Sequence, residues 1–211
     1  MRPREKMKNI GKQLRRRHDR TRGFTMVETV VVLGVILVTT AISLPSFLRS
    51  YQYYQVTDAA SRMVNVVKFT RYEAIRLNRS VPPPVGFVIG PAAGGVTTVW
   101  TDSNGNGAVD PGERQFIFST NVTLVAAGNV PNVAGLTAAA GVGPLIPLSN
   151  TNDARQFDPR GAVNPLPAGA LVSYVSNTAV QSAGYRAVIL LPSGSMQLWQ
   201  ADGNGNWTFL H

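Results

Sequence analysis

Hydrophobic and polar positions divide this chain into three regimes. Over residues 24–48 nearly every position is apolar or small, and only Glu28 is charged. A helix needs roughly 20 apolar residues to cross a bilayer, so this run is long enough to span one. Over residues 52–79 the pattern becomes amphipathic. Ala60, Met63, Val67, Thr70, Ala74 and Leu77 recur at spacings of three and four, the stripe of a helix with one buried face. Arg62, Arg71, Glu73, Arg76 and Arg79 fall mostly on its other faces. Val81 and the run Pro82-Pro83-Pro84 then stop the helix, because proline restricts the residue before it and lacks the N–H needed to continue. A single helix over 24–79 would be on the order of 84 Å long at 1.5 Å per residue. Met63 and the valines of the stripe read as core.

Past Pro84 the texture changes to short apolar runs punctuated by Gly, Pro, Asn and Asp, the signature of strands and turns. Strands are expected at 85–89, 96–101, 115–119, 122–126, 170–175, 185–191, 195–201 and 207–210. Residues 128–150, rich in Gly, Ala and Pro without a clear period, read as an extended loop, long for a compact domain and open to a role as an interaction surface. The fold class is therefore α+β: a long N-terminal helix, half hydrophobic and half amphipathic, packed on a C-terminal antiparallel β-rich head. The divisions expected are a leader (1–23), a hydrophobic segment (24–51), its amphipathic continuation (52–79) and the head (80–211).

Charge sharpens the first boundary. The chain carries a net charge of +9, but residues 1–23 hold ten Lys/Arg against two acidic residues, and the rest holds ten against nine. The basicity belongs to the leader, so a nucleic-acid partner for the head is not supported. Arg15, Arg16, Arg17, Arg20 and Arg22 crowd one end of the apolar run, which by the positive-inside rule keeps the N-terminus cytoplasmic and sends the head across the membrane. An ordinary secretory signal has a shorter apolar region, about 7–15 residues, followed by a small-residue cleavage site. This run is longer, and another helical pattern follows it. There is no cysteine, and the histidines are His18 and His211, so no disulfide, Cys-based centre, multi-His zinc site or Ser-His-Asp triad is expected. An enzyme is not expected.

The junction Gly23-Phe24-Thr25-Met26-Val27-Glu28 resembles the leader junction of type IV prepilins and pseudopilins. That resemblance implies cleavage by a prepilin peptidase between Gly23 and Phe24, and N-methylation of the new Phe24 amine. It also implies that Glu28 pairs with the Phe24 amine of a neighbouring subunit during assembly. An ionisable residue at the edge of a membrane helix costs energy and is by default functional; a snorkelling or protonated Glu28 without a partner is the plainer alternative. Pilins resembling this chain often carry Gly and Pro in the helix, places Gly34 and Pro45 would fill. Pro45 is expected to kink or locally melt the helix, unless the helix simply ends there.

Two later stretches, Gln156-Phe157-Asp158-Pro159-Arg160-Gly161 and Tyr185 through Leu191 with the turn Pro192-Ser193-Gly194, resemble the late strands of the GspH/FimT group of minor pilins. In that group a Phe-x-Pro-x-Gly stretch precedes a hairpin. Some members resembling the group bind DNA through basic residues near the last strands; residues 193–211 contain no Lys or Arg, so that activity is not expected here. The implied partners are a prepilin peptidase, other pilins or pseudopilins, an inner-membrane assembly platform, and lipid before assembly. The implied location is the bacterial inner membrane, single-pass with a periplasmic head, and then a type IV pilus or a type II secretion pseudopilus.

One further string carries chemistry. Asp102, Asn104, Asn106, Gly107, Asp110 and Glu113 match the spacing of a calcium loop at every defined position, with the Ala108 carbonyl as a further ligand. Flanking strands and Pro111 depart from the helix-loop-helix setting, and an Asn/Gly/Asp-rich hairpin that needs no ion is the plainer reading of the same residues. Asp202-Gly203-Asn204-Gly205-Asn206 lacks a closing Glu and reads as a turn. A membrane-anchored periplasmic calcium- or ligand-binding domain that does not polymerise is thus the alternative to a filament subunit.

Overall fold

The computed structural model describes residues 23–78, 83–91, 96–149, 151–178 and 184–211. The basic leader, and the helix stop at Arg79, Val81 and Pro82, lie outside the described residues. Two compact units divide the chain, Met1–Leu44 and Pro45–His211. One helix, α1 (Met26–Leu77), contributes to both, and Pro45 at the division is an internal helix residue rather than an end.

In the first unit every described residue is exposed. Its threonines are accommodated locally. Thr39 donates its hydroxyl to the carbonyls of Val35 (2.9 Å) and Ile36 (3.0 Å), and Thr40 to Ile36 (2.7 Å). This back-bonding hides a polar group inside an apolar run.

The second unit holds the rest of α1 and the head. Its strands are β1 (Gly86–Pro91), β2 (Thr97–Asp102), β3 (Gln115–Ile117), β4 (Val122–Val125), β5 (Leu145–Pro147), β6 (Asp153–Phe157), β7 (Val163–Asn164), β8 (Ala170–Asn177), β9 (Tyr185–Leu190), β10 (Met196–Ala201) and β11 (Trp207–Phe209). A short helix, α2 (Val133–Ala140), lies between β4 and β5. A five-stranded antiparallel sheet has the order β3-β2-β1-β6-β7. A six-stranded sheet has the order β11-β10-β9-β8-β4, with β5 also on β8. The architecture is α+β as expected, and all eight expected strands are present. The β5–β8 pair is parallel and breaks the antiparallel rule of the rest.

Both sheets meet α1. Val56, Ala59, Ala60, Met63, Val64, Val66 and Val67 form one core with Phe87 and Val99 of the first sheet and Leu171, Val188 and Leu198 of the second. The buried face is wider than the expected stripe. Alternation along β8 and β9 sends Val172, Tyr174, Ala187 and Ile189 to the opposite face of the six-stranded sheet, into a second core with Leu136 of α2. Both strands are buried on both faces and are mostly apolar, broken by Ser173, Ser176 and Asn177 in β8 and by Arg186 in β9.

Residues 128–150 are not an extended loop. Asn132, in a left-handed conformation (φ 50°), caps α2 by accepting a hydrogen bond from Gly135 N–H at 3.0 Å, and Gly141 (φ 62°) ends it. Four alanines favour the helix, and Leu136, fully buried, anchors it. At eight residues it is too short for a helical period to stand out.

Candidate functional site

The expected processing junction sits at the start of α1. Gly23 and Phe24 precede the helix and are exposed, Phe24 at 76%. Thr25 is the cap: its Oγ1 accepts the Glu28 N–H at 3.2 Å, and its carbonyl accepts the Thr29 N–H at 3.1 Å. Thr-x-x-Glu is the capping-box spacing, and Glu28 is the acidic residue of the first turn, where the helix dipole favours negative charge. The Glu28 N–H is thus held by the cap, and its carboxylate lies in the first turn, where the helix dipole favours it. The Thr25–Glu28 spacing was the signal for this cap in the sequence.

Beyond this end, α1 is long and apolar enough to cross a membrane. Val30, Leu37 and Ile42 are 62%, 70% and 74% exposed.

In the second unit, polar side chains of α1 fix the helix to both sheets. Thr70 Oγ1 and Thr101 Oγ1 of β2 lie 2.8 Å apart, buried. Arg71, expected on an outer face, instead donates Nε–H to the Gly161 carbonyl at 2.9 Å and Nη2–H to the Ser193 carbonyl at 3.4 Å. The two stretches singled out late in the sequence thus converge on one arginine. Gly161 and Gly194 both have positive φ, and a Cβ on Gly194 would fall 1.9 Å from the Gly161 carbonyl oxygen, so glycine is required at that crossing. The Pro192-Ser193-Gly194 turn joins β9 to β10 as a hairpin, with Met196 opposite Leu190.

Arg186 of β9 is fully buried and faces α1. It donates Nε–H and Nη2–H to Thr57 Oγ1 (3.1 and 2.8 Å) and Nη1–H to the Tyr185 carbonyl (3.0 Å), and its guanidinium lies 4.2 Å from the Tyr53 ring centroid. The Tyr53 hydroxyl in turn contacts Gln200. Burial pushes the Arg186 pKa below its ordinary value, with Tyr53 opposing. Arg186, Thr57 and Tyr53 were not singled out in the sequence; the lone cation in the apolar run 185–191 was the available signal.

Asp102, Asn104, Asn106, Ala108, Asp110 and Glu113 lie in and beside the loop joining β2 to β3. Asp102 accepts the N–H groups of Gly105 (2.6 Å), Asn106 (3.2 Å) and Gly107 (2.8 Å). Glu113 accepts Ser103 N–H (2.8 Å), Ser103 Oγ–H (2.9 Å) and Asp110 N–H (3.1 Å). Asn104 and Asn106 both turn their NH₂ groups onto one Asp110 oxygen (2.6 and 2.7 Å), while their carbonyl oxygens accept Asn106 N–H and Ala108 N–H. The loop therefore closes on its own hydrogen bonds, and calcium would require these amides to reorient toward an ion. Among the described residues no group of three or more His, Cys, Asp or Glu is arranged to hold a metal. Asp202 closes the 202–206 turn in the same way, accepting Asn204 and Asn206 N–H, each at 2.9 Å; the hydrogen bonds from Asn206 hold its pKa below the usual carboxylate value.

Compared with known proteins, the chain matches no family model, no curated protein and no solved structure.

Proposed function

We propose that this chain is a minor pilin or pseudopilin subunit of a type IV pilus or a type II secretion pseudopilus. A prepilin peptidase cuts it between Gly23 and Phe24 at the cytoplasmic face of the bacterial inner membrane, and the Phe24 amine is methylated. Lipid holds the apolar half of α1 until the assembly platform passes the subunit to neighbouring pilins. The periplasmic head then rides outward on the filament.

One observation carries this reading: a single helix whose N-terminal residues are apolar and exposed and whose later residues are buried in a β-rich head. The exposed part needs a partner supplied from outside the described residues, and the junction at its start supplies the family resemblance. Glu28 completes the reading, since a carboxylate in the first turn of such a helix stands where a neighbour's free amine could be paired.

The test is the N-terminal residue of protein isolated from cells. A chain beginning at N-methylated Phe24 is expected. One beginning at Met1, or starting within the head after removal of the whole apolar run, rules out the filament role. Glu28→Ala is expected to leave cleavage and membrane insertion intact and to reduce recovery in sheared filaments by at least about tenfold, the loss of a desolvated charge pair. Normal incorporation of that variant removes Glu28 from the mechanism.

A further inference from the structure

The five-stranded sheet ends on β3, and its register determines which backbone groups are spare. Phe118 N–H donates to the Thr97 carbonyl at 3.0 Å and Thr101 N–H to the Arg114 carbonyl at 2.8 Å. In an antiparallel ladder hydrogen-bonded pairs alternate with pairs whose N–H and C=O point away from the partner. Phe116, opposite Val99, therefore bonds to β2, while the backbone groups of Gln115 and Ile117 face away from the sheet. Among the described residues no other strand pairs with β3. Both residues are exposed, Ile117 at 53%. Natural sheets commonly keep such an edge short, as β3 is at three residues, or blunt it with lysine, proline or a bulge. β3 contains neither lysine nor proline.

A cavity of about 330 Å³ opens beside this edge, lined by Asp58, Ser61, Arg62 and Asn65 of α1 and by Arg114 and Phe116. Its charges do not balance. Arg62 pairs with Asp58 at 2.7 Å. Arg114, exposed, lies 5.2 Å from the Phe69 ring centroid and forms no ion pair among the described residues.

We propose that the β3 edge and this cavity are a docking site for an extended acidic segment of a partner protein. The segment adds to the sheet alongside β3, taking backbone hydrogen bonds from Gln115 and Ile117. Its alternate side chains enter the cavity, where a carboxylate meets Arg114. The site is independent of the apolar part of α1 and does not depend on the filament reading.

The test uses the full chain in detergent and a fluorescent hexapeptide of alternating valine and glutamate. Binding is expected near about 0.1 mM, the strength of a few backbone hydrogen bonds and one charge pair. The same peptide N-methylated on its valines loses the edge hydrogen bonds and is expected to bind at least about tenfold more weakly. Replacing glutamate by lysine, or Arg114→Gln in the protein, is expected to weaken binding about fivefold. Equal binding of the N-methylated peptide, equal binding of the lysine peptide, or no binding of the parent up to about 1 mM overturns the proposal. Because the peptide comparisons leave the protein unaltered, a misfolded Arg114→Gln variant does not blunt the test.

Discussion

The first and second halves of α1 use the same residue type differently. Thr39 and Thr40 return their hydroxyls to carbonyls of their own helix. Thr57 and Thr70 do the same, to the Tyr53 and Val66 carbonyls, but their hydroxyl oxygens also meet the sheets: Thr57 Oγ1 accepts from Arg186, and Thr70 Oγ1 lies 2.8 Å from Thr101 Oγ1. Apolar residues divide likewise: Val30 and Ile42 are 62% and 74% exposed, whereas Val56 and Met63 are 0% and 1%. Where the described residues supply no cover, the helix satisfies its own polar groups and leaves an apolar surface long enough to cross a membrane. Where the sheets supply cover, the helix makes contacts to specific partners in the sheets. One half is exposed among the described residues, and the other makes the fold.

The largest effect should follow from carrying one truncation across both halves. Met63→Ala removes fully buried volume and is expected to cost about 2–5 kcal/mol. Val32→Ala removes volume from the exposed half and is expected to change head stability by less than about 0.5 kcal/mol. Urea unfolding of the full chain in detergent, followed by the fluorescence of Trp100, Trp199 and Trp207 in the head, measures both. Comparable losses from the two variants would erase the distinction between the halves.

A smaller effect tests the contacts made across the second half. Thr57→Val keeps the shape and removes the oxygen that takes two N–H groups of Arg186. The charge stays buried with those groups unsatisfied, at an expected cost of about 1–3 kcal/mol. Arg186→Met removes the charge with its need for partners and should cost less than Thr57→Val, or nothing. The reverse order would show that stacking on Tyr53, rather than satisfaction of the guanidinium, holds the helix here.

Much of this was legible in the sequence. The apolar run, the stripe through Met63 and Val67, and the mostly apolar strands were readable because each signal is local and periodic. β6 escaped because Asp153 and Arg155, joined at 2.7 Å, interrupt its apolar pattern, and β7 because it has only two residues. The caps of α2, Asn132 and Gly141, were visible as residue types, but eight residues give no period to attach them to. Arg71 looked like a solvated outer-face residue because spacing along a helix does not say that two glycine turns arrive beside it. Arg186 meets Thr57 across 129 residues of chain, a separation no local pattern encodes. The 102–113 string shows the opposite case: a specific spacing whose groups can either surround an ion or bond to one another.

The smallest expected effect concerns a polar group that has no partner. Tyr174, 2% exposed in the core under α2, has a hydroxyl with no hydrogen-bond partner among the described residues. If stability resides in satisfied contacts, as the second half of α1 indicates, deleting this hydroxyl should be nearly free. Tyr174→Phe is expected to change stability by no more than about 1 kcal/mol at neutral pH, with stabilisation the favoured sign. Burial pushes the Tyr174 phenol up to about 12 from an ordinary 10.0. The fold thus holds this proton more tightly than the unfolded chain does. The associated stability is complete below the unfolded value and is lost as pH rises toward the folded one. Wild-type chain should therefore lose stability between pH 10.0 and about 12 more steeply than Tyr174→Phe. Parallel alkaline profiles would mean that the phenol is hydrated, and that its apparent isolation does not shape the stability of the head.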